Sequence, residues 1–177
     1  MNDLIKGSWA GAIINEKFIC IKTYSGYRSR HSDPDGVQHI TKIDADGAEL
    51  GNFILDSLSH SRFILPKPRP DVWIHPEATF DAAFYDKDQM EKNYADWKEM
   101  IMSMFNYKTE QALFKQMLSC GIERKGGEIT ITPSHHVKLD HWNGDGITDE
   151  DNVVIPDDST PIEIGSALRL AFSRCIG

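Results

Sequence analysis

Cysteine is scarce and odd in number in this 177-residue chain: Cys20, Cys120 and Cys175, each set in an apolar pattern. Three scattered thiols form neither a disulfide framework nor a paired-cysteine metal knuckle. They read as reduced, buried side chains of a protein kept in a reducing cytosol. Long apolar runs are missing too. No stretch approaches the eighteen or so residues of a membrane span, and Met1-Asn2-Asp3-Leu4 lacks the basic-then-apolar order of a secretory signal. The usual catalytic signatures are also absent. There is no Gly-x-Ser-x-Gly, no phosphate loop ending in Lys-Ser/Thr, no dinucleotide fingerprint and no His-Glu-x-x-His.

Positive charge is locally absent. Residues 140–163 hold eight carboxylates and no Lys or Arg, and residues 71–99 hold eight carboxylates against three lysines. The net charge is −8, so the rest of the chain is positive. A nucleic-acid binder would carry a basic stripe. Two acidic blocks exclude that reading and leave two others. They meet a basic protein partner, or they serve solubility alone.

What is present fits an ordinary globular chain, 40% hydrophobic and 26% charged. Its length suits one domain over residues 1–177. Trp9 to Ile14 and Lys17 to Tyr24 read as strands around an Asn15-Glu16 turn. The unbroken run Phe18-Ile19-Cys20-Ile21 implies burial on both sheet faces. Residues 25–36 are polar and read as a loop: a solvated connection with a Pro-Asp-Gly turn, or a recognition or acid/base loop crowded by Arg28, Arg30, His31, Asp33 and Asp35. Val37 to Ile43 reads as a third strand. Pro66, Pro68, Pro70 and Pro76 forbid regular structure in their stretch. Asp86 to Phe105 is a long helix whose stripe of Met90, Tyr94, Trp97, Ile101 and Met104 is expected to face the core. Thr109 caps a further helix carrying Ala112, Leu113, Met117 and Leu118. Alternation over Cys120–Arg124 and Glu128–Thr132 around Gly126-Gly127 marks a hairpin with Cys120, Ile122, Ile129 and Ile131 inward. Ser134 to Trp142 reads as a short helix or turn.

The last twenty-five residues are the most strongly patterned. Val153-Val154-Ile155 is a strand stopped by Pro156. Thr160-Pro161-Ile162-Glu163 opens a helix with a capping box and proline at its first position. Gly165 inside that helix costs roughly 1 kcal/mol against Ala, which a close approach to a neighbouring strand would explain. The pattern echoes Ile40–Ile43 followed by the Asp46-capped helix, where Glu49-Leu50-Gly51 parallels Glu163-Ile164-Gly165. Two strand–turn–helix units on a shared sheet are expected. The fold class is α+β, a mixed, mostly antiparallel sheet of five to seven strands with helices packed on it.

Two constellations bear on chemistry. His136 and Asp140 would share a helical face near His135 and His141, and with His31 and Asp33 they would equip a small metal-dependent hydrolase. His141-x-Asn143-x-Asp145-Gly146 imitates a calcium loop but has His141 and Asn152 where Asp and Glu belong, which excludes it.

Several segments together resemble one family. They are Trp9 with its strand pair, Ser61-Arg62-Phe63-Ile64, Lys108-Thr109-x-x-Ala112-Leu113-Phe114-Lys115 and Ser119-Cys120. Ile129-Thr130-Ile131-x-Pro133-x-His135-His136-x-Lys138-Leu139-x-x-Trp142 and Val153–Pro156 join them. The most specific is Glu163-Ile164-Gly165-x-Ala167-Leu168-Arg169-Leu170-Ala171-Phe172-Ser173-Arg174-Cys175. This resembles the CdiI immunity proteins of contact-dependent growth inhibition in Gram-negative bacteria, over nearly the whole chain and least in residues 66–90. The resemblance implies a cytoplasmic protein without catalysis or cofactor. Such a protein binds the C-terminal toxin domain of its cognate CdiA effector, often a nuclease, and contacts neither membrane nor nucleic acid. The acidic blocks and their aromatics then nominate Asp81, Tyr85, Asp86, Asp88, Asp140, Trp142, Asp145 and Asp149 as toxin-facing residues.

Overall fold

A computed structural model describes residues 4–177. Its centre is the hairpin of β1 (Ser8–Ile14) and β2 (Ile19–Gly26), closed by a buried Asn15. Asn15 Oδ1 accepts from the backbone N–H of Lys17 and Phe18, while its amide donates to Tyr107 Oη and the Leu113 carbonyl. β3 (Arg30–Ser32) and β4 (Gln38–Thr41) both pair with β2. α1 (Gly47–Ser59) follows, then a two-stranded parallel ribbon of β5 (Ile64–Leu65) and β6 (Thr79–Phe80) that brackets the proline-rich stretch. α2 (Lys87–Phe105) and the single turn α3 (Glu110–Phe114) lead into the hairpin of β7 (Leu118–Lys125) and β8 (Glu128–Pro133). A second small hairpin, β9 (His135–Lys138) and β10 (His141–Asn143), precedes β11 (Val153–Pro156) and α4 (Pro161–Ser173).

The main sheet has seven strands in the order β11-β8-β7-β1-β2-β3, with β4 also on β2, and every pairing in it is antiparallel. This is the expected α+β architecture. The β7–β8 turn works because Gly126 and Gly127 both take positive φ, +60° and +84°, which a tight hairpin demands. Cys120, Ile122, Ile129 and Ile131 point inward and are buried, as their alternation requires.

The strands of the two strand–turn–helix units, β4 and β11, lie toward opposite edges of the sheet, and their helices pack together on one face. Asp46 caps α1 and the Thr160–Glu163 capping box opens α4. Leu50, Ile54, Leu58, Ile164, Leu168 and Ala171 fill the layer between helices and sheet. Gly165 does make a close approach, but to helix α1 and not to a strand. A methyl on Gly165 would lie 2.6 Å from Gly47 Cα, and one on Gly51 would lie 2.6 Å from Pro161 Cα. Each helix thus offers a glycine where the other's backbone crosses.

Three sequence expectations are corrected. Residues 134–142 are not helical: they form the β9–β10 hairpin, turning at Leu139 with φ +35°. His136 and Asp140 therefore do not share a helix face. Residues 25–36 are not a solvated loop. They include the end of β2 and β3, and Asp33 is enclosed against Arg62. The α2 stripe is not core throughout: only Ile101 is buried, and Tyr94 and Met104 are 37% and 55% exposed.

Candidate functional site

α2 begins at Asp86, whose carboxylate accepts from Gln89 N–H, and ends at Asn106 in the left-handed conformation. Only its C-terminal half is seated, where Ile101 and Phe105 join Phe18, Leu113, Phe114 and Met117 on the sheet face away from α1 and α4. Its N-terminal half spans a groove of about 350 Å³ against β2–β4, lined by Lys22, His31, Gln38, Met90, Tyr94 and Trp97 among others. Tyr94 and Trp97 stack with centroids 6.0 Å apart to form one wall, and Trp97 Nε1 donates to Gln38 Oε1 at 2.8 Å.

The β9–β10 hairpin continues this face. Tyr94 Oη donates to Asp140 Oδ2 at 3.0 Å, which joins the two acid-rich segments across the fold. Burial first, and then the Asp140 carboxylate, raise the Tyr94 phenol above its ordinary range, so it stays a donor. Trp142 is fixed by an Nε1 bond to the Met117 carbonyl and by His136, which stacks on it at 4.7 Å. Val137 and Leu139 remain 45% and 40% exposed beside it.

The eight nominated residues fall into three groups. Asp81, Tyr85 and Asp86 have structural partners at the approach to α2. Asp81 pairs with Arg62 at 2.7 Å and receives Ala83 and Phe84 N–H, Tyr85 Oη donates to the Ile64 carbonyl, and Asp86 is the α2 cap. Asp88 lies exposed in the first turn of α2. Asp140 and Trp142 belong to the hairpin, while Asp145, bonded to Asn143, and Asp149, in a 3-10 turn, extend into the loop beyond.

The hydrolase constellation does not assemble. Both Asp33 oxygens are engaged by Arg62, with Ser25 Oγ and Asp35 N–H completing the shell. Burial alone would raise this carboxyl, but the Arg62, Ser25 and Asp35 hydrogen bonds and the Arg62 charge outweigh it and hold the group below the usual carboxylate range. His31 stacks on Phe84 at 4.3 Å, and His136 Nε2 meets the Leu139 carbonyl at 2.6 Å. Among the described residues no three His, Cys, Asp or Glu side chains gather as a metal site.

Sequence reasoning passed over the groove itself. One signal was available. Cys20 and Lys22 share a face of β2, continued backwards by Phe18 just before the strand, so Lys22 sits where parity calls for an inward side chain.

The family model for CdiI, the CDI immunity protein, matches residues 8–175. The chain belongs to the CdiI family. It is 50% identical to immunity protein CdiI-YPIII of Yersinia pseudotuberculosis serotype O:3 (strain YPIII), over all of both chains. It superposes with a TM-score of 0.95 on a chain of a CdiA-CT/CdiI toxin and immunity complex from Yersinia pseudotuberculosis, at 50% identity, covering 98% of this chain and 99% of that one. It also superposes on a protein of unknown function from Neisseria meningitidis, with a TM-score of 0.81 and 35% identity over 99% of each chain. Among the described residues no helix is long and apolar enough to cross a membrane.

Proposed function

We propose that this CdiI family member is the immunity half of a contact-dependent growth inhibition pair. It binds the C-terminal toxin domain of its cognate CdiA effector in the cytoplasm and neutralises it by occupancy, without catalysis of its own. The observation that carries this reading is the full-length match, in sequence and in shape, to a chain of a CdiA-CT/CdiI complex. The toxin is a nuclease whose phosphate-gripping surface is basic, and the acidic face opposes it.

The contact face comprises Asp81, Tyr85, Asp86, Asp88, Asp140, Trp142, Asp145 and Asp149. Within it the roles divide by environment. Exposed carboxylates such as Asp88, Asp145 and Asp149 steer a cationic partner and accelerate encounter. Aromatic side chains held in place by internal contacts, Trp142 above all, supply the desolvated anchor area that slows release. Asp81, Tyr85 and Asp86 hold the approach to α2 in shape.

The test is joint charge reversal of Asp140, Asp145 and Asp149 to Lys. Binding of the toxin domain is followed by stopped flow at low and high salt, and protection is scored in toxin-expressing cells. The association rate at low salt should fall at least about tenfold, with the salt dependence flattened. An unchanged rate and undiminished protection would remove this face from the interface.

A further inference from the structure

Phe18, Cys20 and Lys22 follow one another on the β2 face that looks toward α2. Phe18 and Cys20 are fully covered there. Lys22 continues the row in register with Gln38 on one neighbour and Gly11 on the other. An ammonium at such a place is ordinarily matched by a carboxylate. Among the described residues none forms an ion pair with Lys22, and its Nζ finds only the face of Trp97, 4.5 Å from the ring centre. The carboxylate that shares the groove, Asp33, is already committed to Arg62. The groove also holds a second unmatched polar group: His31 Nε2 is buried with no hydrogen-bond partner among the described residues. Lys22 itself is half-buried at the mouth of the groove, and that partial burial pushes its ammonium below the ordinary lysine range.

A local rule broken at one residue and uncompensated inside the chain points to a partner outside it. We propose that the groove beneath α2 seats an acidic side chain, Asp or Glu, of the cognate toxin domain, with Lys22 as its counter-ion. This rests on the immunity reading above and gives the interface a polarity of its own. The outer face is acidic, but the recess between α2 and β2–β4 presents a cation. At about 350 Å³ the recess is at the small end of ligand pockets, room for a side chain and its adjoining backbone. Tyr94 and Trp97 form the wall past which the aliphatic part of that side chain slides. Because the pair closes away from water, it discriminates: a toxin with a neutral or basic residue at that position leaves Lys22 desolvated and unmatched.

The experiment measures affinity by calorimetry or biolayer interferometry between the full chain and the purified toxin domain. Lys22→Met keeps the length and the contact with Trp97 while removing the charge, and Lys22→Gln repeats the test with a polar group. Both variants should fold and melt close to the parent, since no internal ion pair is lost and only the cation–π part of the contact with Trp97 goes. Each should bind at least about 30-fold more weakly, equivalent to about 2 kcal/mol at 1.4 kcal/mol per factor of ten. Each exposed Asp and Glu of the toxin is then changed to Asn or Gln. One of these changes should weaken binding to the parent about 30-fold, yet weaken binding to Lys22→Met less than about threefold. Parent-like affinity of both Lys22 variants overturns the proposal and leaves the immunity reading standing. Weaker binding with no coupled toxin carboxylate overturns it also, since Lys22 then acts only through packing. Absence of binding by the parent chain removes the immunity reading and this inference with it.

Discussion

Gly165→Ala separates two physical accounts by the sign of its effect. In a helix interior with free space around it, this change gains about 1 kcal/mol from propensity. Here the added methyl would sit 2.6 Å from Gly47 Cα, where carbon atoms pack best at about 3.5–4.0 Å. The obstacle is backbone, and it cannot rotate away. α1 and α4 must part by about 1 Å, which loosens Leu50 and Ile54 against Ile164 and Leu168. Overpacking of this kind costs typically about 1–3 kcal/mol, and a rigid obstacle favours the upper end. Less the propensity gain, the net loss is about 2 kcal/mol. For a chain of this size that lowers Tm by about 4–8 °C. Urea and thermal unfolding followed by circular dichroism would measure it. Gly144→Ala, where nothing lies within 4 Å, is the control and should be neutral or slightly stabilising. A Gly165→Ala variant as stable as the parent would refute the close crossing. Adding Gly51→Ala should cost less than its own single effect, because one separation of the helices relieves both clashes.

Two further outcomes follow from enclosed polar groups. The Asp33 carboxyl is held low in the folded state, so its contribution is complete above the unfolded carboxylate value of about 3.9 and disappears as pH falls through the lower folded value. Asp33→Asn should therefore lower the urea midpoint at pH 7, by about 3 kcal/mol in stability, and flatten the loss below about pH 4; a variant that tracks the parent at every pH would contradict this. Asn15→Ala removes four hydrogen bonds at the β1–β2 turn and should cost at least about 2 kcal/mol, with faster amide exchange at Lys17 and Phe18. Unchanged exchange there would show that the turn stands without the amide.

Local chemistry was legible wherever it was self-contained. Asp46, Thr109 and Thr160 cap the helices they were expected to cap, and Gly126-Gly127 turns the hairpin it was expected to turn. Legibility ended where the deciding partner lies far along the chain. Asp33 looked solvated because Arg62 comes twenty-nine residues later. Gly165 looked like a strand contact because its neighbour, Gly47, lies in another helix. The spacing of His136 and Asp140 suggested a helix, while the alternation of Val137 and Leu139 was the weaker signal for the hairpin that forms. The stripe on α2 shows a different limit. Apolar periodicity announces that a helix face wants cover but does not say whether the same chain or another supplies it. Met90, Tyr94 and Met104 were read as core, yet the fold leaves them at a groove or in the open.

With α1 and α4 on one face of the sheet and the half-seated α2 on the other, the contact surface proposed above lies apart from the larger core. The larger buried cluster, with Leu50, Ile54, Ile164 and Leu168, lies on the face of the sheet away from the proposed contact surface. Substitutions along the outer half of α2 or the β9–β10 hairpin redraw the surface while Leu50, Ile54, Ile164 and Leu168 stay as they were. On the proposed reading, the exposed half of α2 can be recoloured to meet a different toxin while its seated half, around Ile101 and Phe105, stays in place.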